Sequence, residues 1–388
     1  MSSTGLAPSV VVAPDKFKGS LSASEVAAAL ARGLRRKAPA ARVIEHPIAD
    51  GGDGTVDVVA RYGFSCVERE VRGPTGRPVA AAYAFRDGTA VIETAAAAGL
   101  AVLPRSGPND ATARSASSFG VGELIGDAVD RGARRIVLGV GGSATTDGGA
   151  GMAAALGARF WSGPDRIVPQ GGRSLLDIDR VEPGGLAGRL ADVRVLVACD
   201  VDNPLTGPEG AAAVYGPQKG ATSETVDVLD RALGHWADLV AAVTGTELRA
   251  LPGAGAAGGM GFGAAALLEA ELVSGVDLLL ELTGFTEAVA GADLVIIGEG
   301  SLDDQSLRGK GPLGAAHRAR GAGAQVVAVA GSCTVDASEL RERGILAVYT
   351  LSELEPDLAR SIANASTLLE SVAEQIATDW LTGGAPRA

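Results

Sequence analysis

The chain has 388 residues, of which 46% are hydrophobic and 4% aromatic, and its formal net charge is −12. Its length predicts two domains, and its acidic balance argues against nucleic acid or an anionic membrane surface as a partner. The N-terminus has no signal pattern, no apolar run is long enough to span a bilayer, and three scattered cysteines fit a reducing compartment. We therefore expect a cytoplasmic protein.

The predicted elements begin with alternating strands and helices. Ser22 or Ser24 is the expected N-cap of the first helix, and Glu25 lies in its first turn. Strands are predicted at 10–13, 42–48, 135–140, 193–199, 294–297, 326–330 and 345–349, and the first two and last three of these are of the parallel type. Helices are predicted at 21–37, 56–62, 118–131, 150–156, 226–243, 264–273 and 358–380. Residues 64–94 alternate like antiparallel strands, and 161–188 indicate loop with short pieces.

The five parallel-type strands come from the two ends of the chain. The sequence therefore predicts an α/β fold in which a discontinuous Rossmann- or flavodoxin-like parallel-sheet domain carries an inserted, mixed α/β domain. We expect residues 1–62 and 286–388 in the first domain and 63–285 in the second.

Polar, glycine-rich motifs follow several of these strands. They occupy residues 13–20, 50–55, 141–149, 199–204 and 298–303. Ligands bind at the carboxyl ends of strands in α/β proteins, so the motifs predict a site for a phosphorylated, metal-bound ligand. In the second motif, Asp50 and Asp53 share a turn with three glycines, an arrangement that costs stability and favours a function.

Other patterns are weaker. The run Gly139-x-Gly141-x-x-Ala144 fits a dinucleotide loop, but the acidic residue expected about twenty positions later is absent. Gly309-Lys310 does not complete a phosphate-binding P-loop, because Asp304 replaces the earlier glycine. The three histidines are widely separated, so a serine–histidine triad or a zinc site is not expected.

Together, the motifs resemble the first type of bacterial glycerate kinases. The segments that carry the resemblance are 13–24, 47–55, 139–152, 198–206, 215–221, 258–264 and 298–316. One departure is Ser306, where the family pattern has threonine. The resemblance implies phosphorylation of D-glycerate to 2-phosphoglycerate, with ATP and Mg²⁺, in a cleft between the two domains.

Site roles follow as hypotheses. Asp200 is the favoured general base, because a carboxylate at the end of a buried strand is held in a fixed geometry. The catalytic set is Asp200, Lys16 and Lys310. The predicted substrate- or phosphate-binding residues are Lys18, Ser20, Gly51, Gly52, Gly141, Gly142, Ser143, Thr145 and Asn203. The predicted metal ligands are Asp53, Glu299 and Asp303.

Three alternatives stay open at this point. The kinase could phosphorylate the other hydroxyl and give 3-phosphoglycerate. The glycine pattern at 139–144 could belong to an NAD-dependent oxidoreductase, although the missing ribose acid argues against it. A metabolite-sensing protein without catalysis is the third alternative, but it does not explain so many clustered carboxylates.

Overall fold

The computed structural model describes residues 7–303 and 311–382, and the chain divides into two compact units. The first unit is formed by the two ends of the chain, up to Asp50 and from Val276. The inserted unit comprises Gly51–Gly275. The sequence analysis placed these boundaries after residues 62 and 285. The helix after the second motif packs on strands of the inserted unit instead, which moves the first boundary to Asp50.

The strands and helices follow one another along the chain in this order. The N-terminal segment contains β1 (Ser9–Pro14), α1 (Ala23–Lys37) and β2 (Arg42–Glu45). The inserted unit contains α2 (Thr55–Ala60), β3 (Ser65–Arg72), β4 (Pro78–Arg86), β5 (Thr89–Glu93), α3 (Thr94–Ala98), α4 (Asp110–Ser115), α5 (Phe119–Asp130), β6 (Arg135–Gly139), α6 (Ala150–Ala155), β7 (Arg159–Ser162), β8 (Asp165–Ile167), β9 (Arg180–Glu182), α7 (Leu186–Leu190), β10 (Arg194–Ala198), α8 (Ala211–Tyr215), α9 (Ser223–Thr244), α10 (Ala256–Leu267) and β11 (Glu271–Val273). The C-terminal segment contains α11 (Gly275–Leu282), α12 (Phe285–Val289), β12 (Leu294–Leu302), α13 (Gly311–Gly321), β13 (Gln325–Cys333), α14 (Ala337–Glu342), β14 (Val348–Thr350), α15 (Leu351–Leu354), α16 (Leu358–Ala363) and α17 (Ala365–Trp380).

The first unit is built on a parallel sheet. Within the described residues its strand order is β2-β1-β12-β13-β14, and Val11 of β1 pairs with Val295 of β12. Numbered within the unit, this is the 2-1-3-4-5 order of flavodoxin-like sheets, in which ligands bind at the switch point between the first and third strands. That point lies at the carboxyl ends of β1 and β12.

Alternating residues of β1 fill the core on both faces of this sheet. Val10 and Val12 pack with α1 and α17, and Val11 and Ala13 pack with α12 and α13. Helix α1 begins at a capping box in which the Ser22 hydroxyl accepts from the Glu25 N–H, and the Glu25 carboxylate accepts from the Ser22 N–H. Ser22 is therefore the N-cap that the sequence left open between two serines.

The inserted unit has a mixed sheet. Its order over the described chain is β11-β10-β6-β5-β4-β3, with parallel pairing from β11 to β5 and antiparallel pairing from β5 to β3. A second sheet, β8-β7-β9, is antiparallel. The predicted fold class, a parallel-sheet domain with an inserted mixed α/β domain, is confirmed.

The region 161–188, predicted as loop with short pieces, contains the short strands of the small antiparallel sheet. Two local predictions were wrong. The helix expected over 264–273 ends at Leu267, and Glu271–Val273 forms a strand because it extends the sheet beside β10. The expected C-terminal helix is broken at Asn364 into α16 and α17.

Among the helices of the described residues, none has the length and hydropathy needed to cross a bilayer.

Candidate active site

Two glycine-rich turns pack backbone to backbone in the inserted unit. A methyl group placed on Gly139 would lie 2.1 Å from the Gly51 carbonyl oxygen, and one on Gly141 would lie 2.7 Å from the Gly52 α-carbon. Gly51 itself has a φ of +90°, a conformation that other residues rarely adopt. The structure therefore brings together three of the predicted binding glycines, Gly51, Gly52 and Gly141, and the fourth, Gly142, follows Gly141 directly.

The Asp53 carboxylate lies at this junction. A methyl group on Gly142 would come within 2.4 Å of Asp53 Oδ1, so the exposed carboxylate borders the exposed glycine. Both residues project from the carboxyl-end side of the inserted sheet, because Gly142 follows β6 by three residues. The predicted metal role of Asp53 stays a prediction.

Glu93 is a residue that the sequence analysis missed. It ends β5 next to β6, and its carboxylate accepts a hydrogen bond from the Val56 N–H at 2.6 Å. Burial raises the pKa of Glu93, the Val56 and Gly54 amides lower it, and the Asp53 and Asp57 carboxylates raise it further. Glu93 therefore holds the segment that follows the Asp53 turn. The signal was an acid placed directly after the apolar run 90–92.

The 141–149 motif has two different halves. Its first half pairs with 98–100, since the Leu100 N–H donates to the Gly142 carbonyl at 3.0 Å and the Ala144 N–H to the Ala98 carbonyl at 2.8 Å. Gly142 is exposed, and Ser143 lies just below it with 7% of its surface exposed. This half presents glycine backbone at the surface, with the buried Ser143 directly after it in the chain.

The second half of the motif is core. Asp147 is fully buried and accepts hydrogen bonds from the Ser118 N–H and hydroxyl and from the Gly149 and Gly151 amides. The Gly149 N–H is therefore not free for a ligand, because it donates to the Asp147 carboxylate. Thr145 is also fully buried, with its hydroxyl 3.4 Å from the Ala257 carbonyl, and its predicted binding role stays a prediction.

Asp200 and Asn203 follow β10, the neighbour of β6. Ala198 pairs with Gly139, so Asp200 and Gly141 leave the sheet side by side. Asp200 is half-buried and accepts a hydrogen bond from the Gly275 N–H at 2.9 Å. Asn203 ties its loop together, because its Oδ1 accepts from the Tyr215 hydroxyl at 2.6 Å. The predicted roles of Asp200 and Asn203 stay predictions.

The first unit holds a pocket of about 770 Å³ at the carboxyl ends of β1, β12 and β13. This is the switch point where the sheet order predicts a ligand. Its lining includes five of the predicted site residues, namely Lys16, Lys18, Ser20, Glu299 and Asp303. Lys310, the remaining predicted lysine, lies outside the described residues.

Asp15 is the buried acid of this pocket, and the sequence analysis named its motif without assigning it a role. It is 6% exposed, and burial raises its pKa to about 6, against the lowering effect of Lys16 and with a further rise from Asp50. The Lys16 ammonium lies 3.4 Å from Asp15 and 3.6 Å from Asp50. The lysine is thus placed between two carboxylates.

The segment from α15 to α17 also lines the pocket. It contributes the apolar side chains of Leu351, Pro356, Leu358, Ile362 and Ala365, together with the polar Ser352, Glu355 and Ser361. Leu358 is 74% exposed, an unusual position for a large aliphatic side chain. A pocket lined by both charged and apolar side chains is suited to a ligand that carries phosphates and a base.

The oxygen donors of the pocket suit Mg²⁺. Glu299 and Asp303 are half-buried carboxylates on the same strand end. Over residues 7–303 and 311–382, no three His, Cys, Asp or Glu side chains are grouped as a dedicated metal site requires. Mg²⁺ in kinases is commonly held by one or two carboxylates together with substrate phosphates, and the two carboxylates fit that pattern.

The histidines take structural positions. His46 is buried, packs edge-on against Phe285 and lies 3.3 Å from the Thr283 hydroxyl. Burial lowers the pKa of His46 to about 4, so it is neutral at pH 7. His235 contacts the Ile178 carbonyl at 2.7 Å. Both fit the expectation of structural histidines.

A flavodoxin-like sheet with lysines and carboxylates at its switch point defines a class of enzymes that act on phosphorylated ligands. A sequence model of the glycerate kinase family matches residues 10–381, and the chain belongs to this family of kinases. The glycerate kinase of Bacillus subtilis (strain 168) is 44% identical, over 95% of this chain and 96% of that protein. The glycerate 2-kinase of Escherichia coli (strain K12) is 43% identical, over 88% and 90%.

A solved structure agrees with this family. The crystal structure of a protein assigned as glycerate kinase 2 from Salmonella typhimurium LT2 superposes with a TM-score of 0.81. It is 41% identical and covers 96% of this chain and 99% of that one. The predicted family and the predicted class of enzyme, a kinase, are confirmed.

Proposed function

We propose that this protein transfers the γ-phosphoryl group of ATP to the 2-hydroxyl of D-glycerate, giving 2-phosphoglycerate and ADP with the help of Mg²⁺. The observation that carries the proposal is the 43% identity to the glycerate 2-kinase of Escherichia coli over 88% of this chain. The choice of the 2-hydroxyl over the 3-hydroxyl rests on that relative's name.

We assign ATP to the pocket of the first unit. Lys16 and Lys18 line it and would neutralise phosphate oxygens, while Leu358 and Ile362 line it as well and would contact the base. Glu299 and Asp303 would hold Mg²⁺. The bound ion would offset the negative charge that builds on the phosphate oxygens during transfer.

We assign the acceptor to the turns of the inserted unit. The backbone of the half-buried Gly141 and the exposed Gly142, with the Ser143 hydroxyl, would receive the glycerate carboxylate. Asp200 would accept the proton of the 2-hydroxyl. At the same time the hydroxyl oxygen would bond to the γ-phosphorus of ATP, and the bond between the γ-phosphorus and the β,γ-bridging oxygen would break, which releases ADP. The hydrogen bond from the Gly275 amide orients the Asp200 carboxylate for this role.

The test is incubation of the purified chain with MgATP and D-glycerate, with products identified by phosphorus NMR. We expect ADP and 2-phosphoglycerate, and no product when EDTA replaces Mg²⁺. A 3-phosphoglycerate signal would keep the kinase and overturn the regiochemistry. No phosphorylated product from folded protein would overturn the proposal, and turnover undiminished in EDTA would remove Mg²⁺ from it.

A further inference from the structure

Lys219 is a buried lysine that takes no part in the mechanism proposed above. It lies in the short 3₁₀ turn Pro217–Lys219, and only 2% of its surface is exposed. Its ammonium group donates a hydrogen bond to the Thr145 carbonyl oxygen at 2.6 Å. Lysine is rare in this chain, with five among the 34 Lys and Arg residues, so its use at a buried position is notable.

Burying this charge is costly. Desolvation lowers the pKa of Lys219 to about 7, and Asp147 opposes the shift. A well-packed apolar side chain of similar volume would avoid the desolvation, and such replacements of buried charges are often neutral or stabilising. A reason other than maximal stability is therefore needed for a lysine here.

The backbone that Lys219 contacts is tightly enclosed. A methyl group on Gly258 would lie 1.9 Å from the Thr145 carbonyl oxygen, the same oxygen that accepts from the lysine. Two residues on, Asp147 is held by the Ser118 hydroxyl and backbone N–H. The stretch 145–147 is thus held by a buried cation at the Thr145 carbonyl and through the buried Asp147 carboxylate at its other end, with no room for a methyl group on Gly258.

The adjoining residues are the ones assigned to the acceptor. Two residues before Thr145 stands Ser143, and the Leu100 N–H fixes the Gly142 carbonyl from the opposite side. The exposed part of the motif is therefore anchored at 98–100 on one side and at Lys219 on the other. The Thr146 hydroxyl, next to the lysine contact, is buried with no hydrogen-bond partner among the described residues, which is a further cost in this stretch.

We propose that Lys219 is a positioning residue for the acceptor: by holding the Thr145 carbonyl, it fixes Gly141, Gly142 and Ser143 in the arrangement that receives the carboxylate of a small hydroxy acid. The inference rests on the proposed function, which places the acceptor at these residues. Lys219 does not contact the substrate in this scheme.

The experiment compares the full-length chain with Lys219→Met, Lys219→Gln and the control Lys37→Met, an exposed lysine at the end of α1. The Michaelis constants for D-glycerate and ATP, the turnover number and the thermal midpoint are measured for each. We expect Lys219→Met to raise KM for D-glycerate about tenfold or more while KM for ATP changes less than about twofold. The KM of Lys219→Gln for D-glycerate should lie between those of the wild type and Lys219→Met, because the glutamine amide can still donate to a carbonyl.

Three results would count against the inference. An unchanged KM for D-glycerate in folded Lys219→Met would overturn it. A lower thermal midpoint with both Michaelis constants unchanged would reduce Lys219 to a stability role and overturn the inference as well. If Lys219→Met does not fold, a Lys219→Gln variant with wild-type KM for D-glycerate would do the same.

Failure of the proposed function can be told apart from failure of the Lys219 inference. In the first case the wild-type chain itself would phosphorylate no D-glycerate. Calorimetric binding of D-glycerate to the wild type and to Lys219→Met would then still test the inference, with weaker binding to the variant expected and equal binding contradicting it.

Discussion

The Gly51 carbonyl oxygen lies against the α-carbon of Gly139, so closely that a methyl group on Gly139 would sit 2.1 Å from it. The two residues are far apart in sequence, yet their contact sets the distance between the Asp53 turn and the 141–143 turn. Glycine is required at this contact because neither backbone can move away without displacing a strand end.

We therefore expect Gly139→Ala to destabilise the protein by about 2–3 kcal/mol, through overpacking against a backbone carbonyl. Activity should fall with it. Gly234→Ala is the matched control, since its site in α9 has open space and alanine favours helix by about 1 kcal/mol. Urea unfolding of both variants measures the difference, and a Gly139→Ala variant as stable as the wild type would contradict the packing argument.

Asp200→Asn should lower turnover by roughly 10²–10⁴-fold, the range for loss of a general base. The fold should persist, because the asparagine carbonyl can still accept from the Gly275 amide. Asp202→Asn is the control, since Asp202 is exposed in the same loop. Steady-state assays with far-UV circular dichroism test this, and near-normal turnover in Asp200→Asn would remove it from the mechanism.

Lys16→Met and Lys18→Met should each raise KM for ATP about tenfold or more, because each removes a cation from the pocket lining. KM for D-glycerate should change much less. Lys37→Met, which removes a lysine outside this pocket, should match the wild type. If Lys16→Met, Lys18→Met and Lys37→Met all had the same KM for ATP, the triphosphate would have to bind elsewhere.

The raised pKa of Asp15 predicts that the free energy of unfolding falls as the pH rises. Its pKa is about 6 in the folded state and 3.8 in the unfolded reference, so the folded protein binds more protons between these values. The free energy of unfolding contributed by Asp15 therefore falls as pH rises from about 4 to about 6, by up to about 3 kcal/mol. Asp15→Asn should be more stable than the wild type at pH 8 and no more stable below pH 4.

Thermal unfolding from pH 4 to pH 8 checks this prediction. Asp87→Asn serves as the control, because the Asp87 side chain is 93% exposed. A wild-type advantage over Asp15→Asn at pH 8 would mean that the ionised Asp15 is stabilised by Lys16 more than burial penalises it. Loss of activity in Asp15→Asn at pH 8, despite higher stability, is the expected sign of a functional acid.

Much of this arrangement was predictable from strand ends. Apolar runs such as 10–13 and 135–140 located the strands, and the polar motifs after them fell at the sheet edges that carry the site. The motif letters did not distinguish exposed Gly142 from buried Thr145, three residues on. That difference depends on Gly258 and Lys219, which approach from more than 70 residues away in sequence. Glu93 was missed for the same reason, since its importance comes from the Val56 amide that it holds.

The discontinuous sheet has a consequence for synthesis on the ribosome. In the first unit, β1 pairs with β12, and α1 packs on α17, so its core joins the first and last parts of the chain. The inserted unit, Gly51–Gly275, is continuous and has its own core. The nascent inserted unit can therefore fold while the ribosome is still translating, whereas β1 must wait for its partner strand. Truncation near the C-terminus should thus leave the inserted unit protease-resistant and the N-terminal 50 residues open to cleavage.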